Sequence, residues 1–141
     1  MDDEFARLAR KKTIDALCKT VSKFIGTGLV TIEGNSIFVN LPRESDKEYF
    51  LLRIDLPDTF PLNPGDYYFV NPENKTERGP QFWPDDGGEG FNITNQNPPW
   101  ICVAGTSAYK HHHGKYDPKV HTLAQTVVHI YRQINGWKKN A

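Results

Sequence analysis

A Gly34-Asn35 pair sits between two alternating runs in "GLVTIEGNSIFVNLP", and it constrains this chain more than any other feature. Such a pair supplies the positive φ angles that a two-residue hairpin turn requires. Strands joined at this turn set Ile32 opposite Ile37 and Val30 opposite Val39. All four side chains then share one face, so turn geometry and hydrophobic pattern specify the same register. A slip of one residue would carry the whole set to the opposite face.

Two more strands follow. "EYFLLRIDLP" puts Phe50, Leu52, Ile54 and Leu56 on one face and Tyr49, Leu51, Arg53 and Asp55 on the other. "DYYFV", from Asp66 to Val70, is shorter. Brief connections between these runs imply an antiparallel meander with one packed face. Ahead of it, from about Asp3 to Lys23, Phe5, Leu8, Ile14, Leu17, Cys18, Val21, Phe24 and Ile25 recur at helical spacing. This amphipathic helix is the simplest cover for the sheet. Cys18 lies on its apolar stripe and reads as a small core residue.

After Pro72 the periodicity disappears, and Glu73 to Pro118 is crowded with Pro, Gly, Asn and Asp. Within it "NQNPPWICVAGTSAYKHHHGKYDP", Asn95 to Pro118, reads as neither helix nor strand. Periodicity returns in "VHTLAQTVVHIYRQING", where Leu123, Val127, Ile130 and Ile134 form a second stripe and Gly136 is placed to end the helix. The expected architecture is a single α+β domain over residues 1–141: an N-terminal helix, a four-stranded antiparallel meander, a long candidate active-site loop and a C-terminal helix. Irregular loops of that length inside a compact domain are uncommon and usually functional.

Charge narrows the function classes. Seventeen Lys and Arg balance seventeen Asp and Glu, and no basic run occurs, which argues against a nucleic-acid partner held by phosphate contacts. The opening "MDDEFARLARKK" lacks the apolar stretch of a signal peptide, and no run approaches the roughly 20 apolar residues that cross a bilayer. Two cysteines are too few for a disulfide framework. A cytoplasmic protein without a membrane partner is the simplest expectation.

Three local signatures, taken with the element order, resemble the ubiquitin-conjugating enzyme (UBC) family. "FPLNPG", Phe60 to Gly65, is similar to the aromatic-Pro-x-x-Pro-Pro turn of that family, with Gly65 in place of the final proline. "WIC" resembles the apolar lead-in to the family's catalytic cysteine. "YDPKVHTL", Tyr116 to Leu123, resembles its Trp-Ser-Pro lead-in to the second helix, with Tyr116 at the tryptophan position. The departures are equally specific. No His-Pro-Asn motif is present, and Thr94 occupies the place of its asparagine. The stretch between cysteine and second helix is lengthened and carries the histidine triplet. The chain ends after one C-terminal helix. These features look closer to divergent bacterial members from antiphage defence operons, either CBASS systems with a cGAS-like nucleotidyltransferase or bacterial ubiquitin-like conjugation operons.

That resemblance implies an acyl carrier. Cys102 would accept the C-terminus of a protein modifier as a thioester and pass the acyl group to an amine. Its partners would be that protein, for which a cGAS-like nucleotidyltransferase is one source, and an ATP-dependent activating enzyme. No separate cofactor is implied. Such chemistry needs a thiolate, a base for the thiol proton and donors for the oxyanion. The loop supplies all three residue types. Cys102 reads either as a buried structural thiol or, by the alignment, as the nucleophile. The run His111 to His113 reads as a solvated surface stretch, as metal ligands together with His121, or as the source of a general base; His113 and His121 are the expected bases. Glu89, in "DDGGEGF", is the candidate carboxylate that orients an imidazole. Asn95 is the expected oxyanion donor among Asn92, Asn95 and Asn97. Two other functions remain open on the same residues: a non-catalytic UBC-like binding module, and a Cys-His hydrolase of thioester or isopeptide bonds.

Overall fold

The structure, a computed structural model, describes residues 3–77, 92–94 and 100–136. Glu89, Asn95 and Asn97 lie outside the described residues. The first helix, α1 (Asp3–Phe24), is followed by four strands, β1 (Val30–Glu33), β2 (Ser36–Arg43), β3 (Glu48–Asp55) and β4 (Asp66–Val70). They form one antiparallel sheet in the order β1-β2-β3-β4, so the expected meander is present. Val30 faces Val39 and Ile32 faces Ile37, the register that the hairpin pattern specifies. Gly34 holds φ at 62°, which its lack of a Cβ permits.

Alternation in β3 becomes burial. Phe50, Leu52, Ile54 and Leu56 are all buried, and they share one core cluster with Ile37, Val39 and Leu41 of β2. The expected packed face does not reach β1 in full, because Ile32 is 48% exposed at this edge. The C-terminal helix, α3 (Leu123–Gly136), explains the limit: it packs against β2 and against α1. Its Leu123, Val127, Ile130 and Ile134 join the same core as Leu17 and Val21 of α1. The sheet is therefore covered by a helix pair, with α3 against β2, where the sequence reading gave the role to α1 alone. Helix α1 also reaches the sheet through Arg10, whose guanidinium donates to Asn35 Oδ1 at 2.6 Å and to the Pro57 carbonyl at 2.7 Å. Its stripe outruns the core, since Phe5, Leu8 and Phe24 stay exposed.

The second sheet edge is closed by the segment expected to be structureless. Two short strands, β5 (Asn92–Ile93) and β6 (Ile101–Cys102), pair antiparallel, with Asn92 opposite Cys102 and Ile93 opposite Ile101. A backbone bridge from Tyr68 to Trp100 joins this pair to β4, and the two rings meet edge-on at 6.3 Å. A seven-residue helix, α2 (Ser107–His113), follows. Among the described residues no helix is long and apolar enough to cross a membrane.

Candidate active site

Helix α2 corrects the reading of Asn95 to Pro118 as neither helix nor strand, and its ends explain why it forms. Thr106 has extended backbone, and its hydroxyl accepts the Tyr109 N–H as an N-cap. Gly114 adopts the left-handed conformation with φ 66°, and its N–H returns to the Lys110 carbonyl at 2.7 Å. Seven residues are too short to show an apolar stripe, so hydrophobic periodicity cannot reveal this helix. The caps Thr106 and Gly114 were the available signal.

The same caps fix which histidine meets the cysteine. Ala108 is the buried residue of α2, so the face carrying position 108 turns inward. Position 112 falls one turn later on that face. There His112 Nδ1 lies 3.5 Å from Cys102 Sγ. Position 113 follows Tyr109 instead, and the His113 ring lies 4.3 Å from the Tyr109 ring, exposed to solvent. His121 is held elsewhere: its Nδ1 accepts the Asp117 N–H at 3.0 Å, and its ring stacks on Tyr116 at 6.0 Å. The structure thus pairs the thiol with His112, whereas the sequence reading selected His113 and His121. Helical phase, not the triplet itself, makes the choice.

Cys102 is 4% exposed. Burial pushes its thiol pKa above the usual value of a free cysteine, so the resting sulfur carries its proton. Proton removal must then accompany attack, which an adjoining imidazole can perform. Thr106 also fixes the backbone beside the sulfur. Its hydroxyl donates to the Val103 carbonyl at 2.8 Å and accepts the Val103 N–H at 3.3 Å, while the side chain is 1% exposed. One buried hydroxyl thereby joins the residue after Cys102 to the first turn of the helix that carries His112.

Gly105 anchors this corner to α3. Its φ is +103°, and a Cβ there would collide with Thr126 Oγ1. Thr126 is itself buried and donates to the Thr122 carbonyl at 2.9 Å. On the other side, the Phe60–Gly65 turn receives three hydrogen bonds from α2 and its sequel. The Ser107 N–H donates to the Gly65 carbonyl at 2.9 Å, Lys110 Nζ to Asn63 Oδ1 at 2.6 Å, and Tyr116 Oη to the Pro61 carbonyl at 2.7 Å. Gly65 is required by space as well, since a Cβ would lie 3.0 Å from the Asp55 carbonyl oxygen. Beside this turn, burial raises the Asp66 carboxyl despite a hydrogen bond from Ser107.

Other expected groups fall as follows. Asn92 stands opposite Cys102 in the ladder, a register position that the sequence reading weighed below Asn95. Thr94 is engaged by the hairpin, its hydroxyl accepting the Trp100 N–H at 2.9 Å. His129 lies on the solvent side of α3, and partial desolvation of its ring together with the Arg132 charge lowers its pKa. Among the described residues no group of three or more His, Cys, Asp or Glu could hold a metal ion. No family model matches the chain, and no curated protein or solved structure does either.

Proposed function

We propose that this protein is a bacterial ubiquitin-conjugating-like enzyme that carries an acyl group on Cys102, with antiphage defence as its setting. The observation that carries this reading is the 3.5 Å approach of His112 Nδ1 to Cys102 Sγ. The helix–meander–helix order and the placement of "FPLNPG" against the cysteine segment support it.

In the loading step, Cys102 Sγ attacks the thioester carbonyl of the modifier held by an activating enzyme, and His112 takes the thiol proton. The tetrahedral adduct collapses with cleavage of the old C–S bond, and the departing thiolate recovers a proton from the imidazolium. In the transfer step, an amine attacks the new thioester, His112 accepts an N–H proton, and Cys102 leaves as the thiolate before it is reprotonated. The oxyanion of each adduct needs donors. Asn95 remains the sequence-based candidate for that role, and Glu89 the candidate to orient the imidazole.

One observation favours a second reading. A thiol that is 4% exposed with a raised pKa also suits a non-catalytic module of the same fold. Incubation with the products of the neighbouring genes, plus ATP, separates the two. A carrier gives a reductant-sensitive adduct on non-reducing gels that is lost in Cys102→Ala and trapped as an oxyester in Cys102→Ser. Cleavage of a preformed conjugate with no adduct build-up would instead indicate a hydrolase. Full biological activity in Cys102→Ala would establish the binding module.

A further inference from the structure

A nucleophile that must meet the C-terminus of another protein is covered by its own chain, and among the described residues the cover is held by contacts that are few and polar. We propose that residues Ser107 to Tyr116 form a lid over Cys102, latched to the Phe60–Gly65 turn, and that the thiol becomes available to an acyl donor when this latch releases. The inference rests on the carrier reading for its purpose but not for its geometry.

Four observations converge on it. The sulfur is shielded, with Cys102 4% exposed, although His112 beside it is a solvent-exposed residue. Helix α2 buries only Ala108, so little apolar surface resists its displacement. Apart from the contact of His112 with Cys102, the side-chain bonds from the segment among the described residues run to one short turn and the residue after it: Lys110 Nζ to Asn63 Oδ1, Tyr116 Oη to the Pro61 carbonyl, and Ser107 to the Asp66 carboxyl. The two flanking glycines differ in kind. Gly105 is wedged on Thr126 at φ +103°, whereas Gly114 has φ +66° and nothing within 4 Å of the place a Cβ would take. The wedged glycine keeps the cysteine strand fixed, and the open one, inside the lid, lets α2 and the Tyr116 arm lift from the turn one after the other. A segment with so few buried apolar contacts belongs at the low end of local stability, where gating elements are drawn.

Opening can be read without any acyl donor, as the alkylation rate of Cys102 by iodoacetamide, followed by peptide mass spectrometry. Half-buried Cys18 on α1 in the same tube is the internal reference for reagent, the urea-unfolded chain sets the scale of each rate, and urea titration of each variant checks that its global stability is unchanged. The wild-type protein is expected to protect Cys102 at least about tenfold beyond the unfolded chain. The double variant Lys110→Met, Tyr116→Phe is expected to accelerate Cys102 about tenfold, with Cys18 unchanged. Asn63→Ala removes one bond of the latch and is expected to give a smaller acceleration. Equal Cys102 rates in wild type and latch variants would overturn the proposal. So would a Cys102 as reactive in wild type as in the unfolded chain, or a His112→Ala variant that alone gives the full acceleration, since the ring and not the helix would then be the cover. Because no modifier takes part, loss of the carrier reading in the gel assay leaves this result standing, and the converse holds.

Discussion

The meander and the cysteine segment are neighbours on β4, yet they are built on opposite terms. In the meander, side chains alternate with the backbone, and Phe50, Leu52, Ile54 and Leu56 bury themselves in one continuous core. Ile101 and Val103 still belong to that core, but from Ala104 to Tyr116 the chain is, among the described residues, fixed at points: one threonine hydroxyl, one wedged glycine, one left-handed glycine and three hydrogen bonds to the Phe60–Gly65 turn. The first kind of structure is stable because apolar area is removed from water over many residues. The second is specific because each contact has a geometry, while its net contribution stays small. A site built this way can be rearranged at little cost to the fold.

That contrast can be broken by substitution. The largest effect is expected from Leu52→Ala, which removes a fully buried side chain and should cost about 2–5 kcal/mol in urea unfolding. A loss under about 1 kcal/mol would mean that the sheet core is not packed as described. Gly105→Ala belongs in the same range although it lies in the cysteine segment. The positive φ alone costs about 1–3 kcal/mol, and the collision with Thr126 adds to it. At this joint the site is as intolerant as the core. Thr106→Ala is expected to cost about 1 kcal/mol as a lost cap, with Thr106→Ser recovering most of it.

Smaller still is an alkaline effect. Burial raises the pKa of Cys102 and of Cys18, so each folded thiol binds its proton more tightly than the unfolded one. The associated stability is complete below the unfolded cysteine value of about 8.5 and is lost as pH rises from there through the raised folded value. Unfolding followed between neutral and alkaline pH should therefore show a decline that is smaller in Cys102→Ala than in wild type. An identical decline in both would remove burial as the cause.

The two regions also differ in how legible they are. The meander could be read because a period of two and the Gly34-Asn35 turn are properties of adjacent residues, and register follows from them. The exposed Ile32 was not legible, since which strand lies under a helix depends on where α3 lands. In the cysteine segment, Cys102 stood out by residue type, but its partner did not. Three consecutive histidines offer three directions spaced by the helical rotation, and only the caps at Thr106 and Gly114 reveal that a helix sets those directions. With the caps recognised, buried Ala108 selects His112 over His113. His121 looked well placed beside the second helix, yet its Nδ1 is spent on the Asp117 backbone.

The pairing of Cys102 with His112 is tested most directly by a small acyl donor that needs no partner protein. Treat wild type, His112→Gln, His113→Gln and His121→Gln with p-nitrophenyl acetate at neutral pH, and measure acetyl-Cys102 by mass spectrometry against acetyl-Cys18. The expected result is acetylation of Cys102 that is slow in wild type because the lid covers the sulfur, reduced about a further hundredfold in His112→Gln, the lower end for loss of a general base, and nearly unchanged in the other two. Acetylation of Cys102 that survives His112→Gln at the wild-type rate, or that falls equally in all three variants, would contradict the assignment.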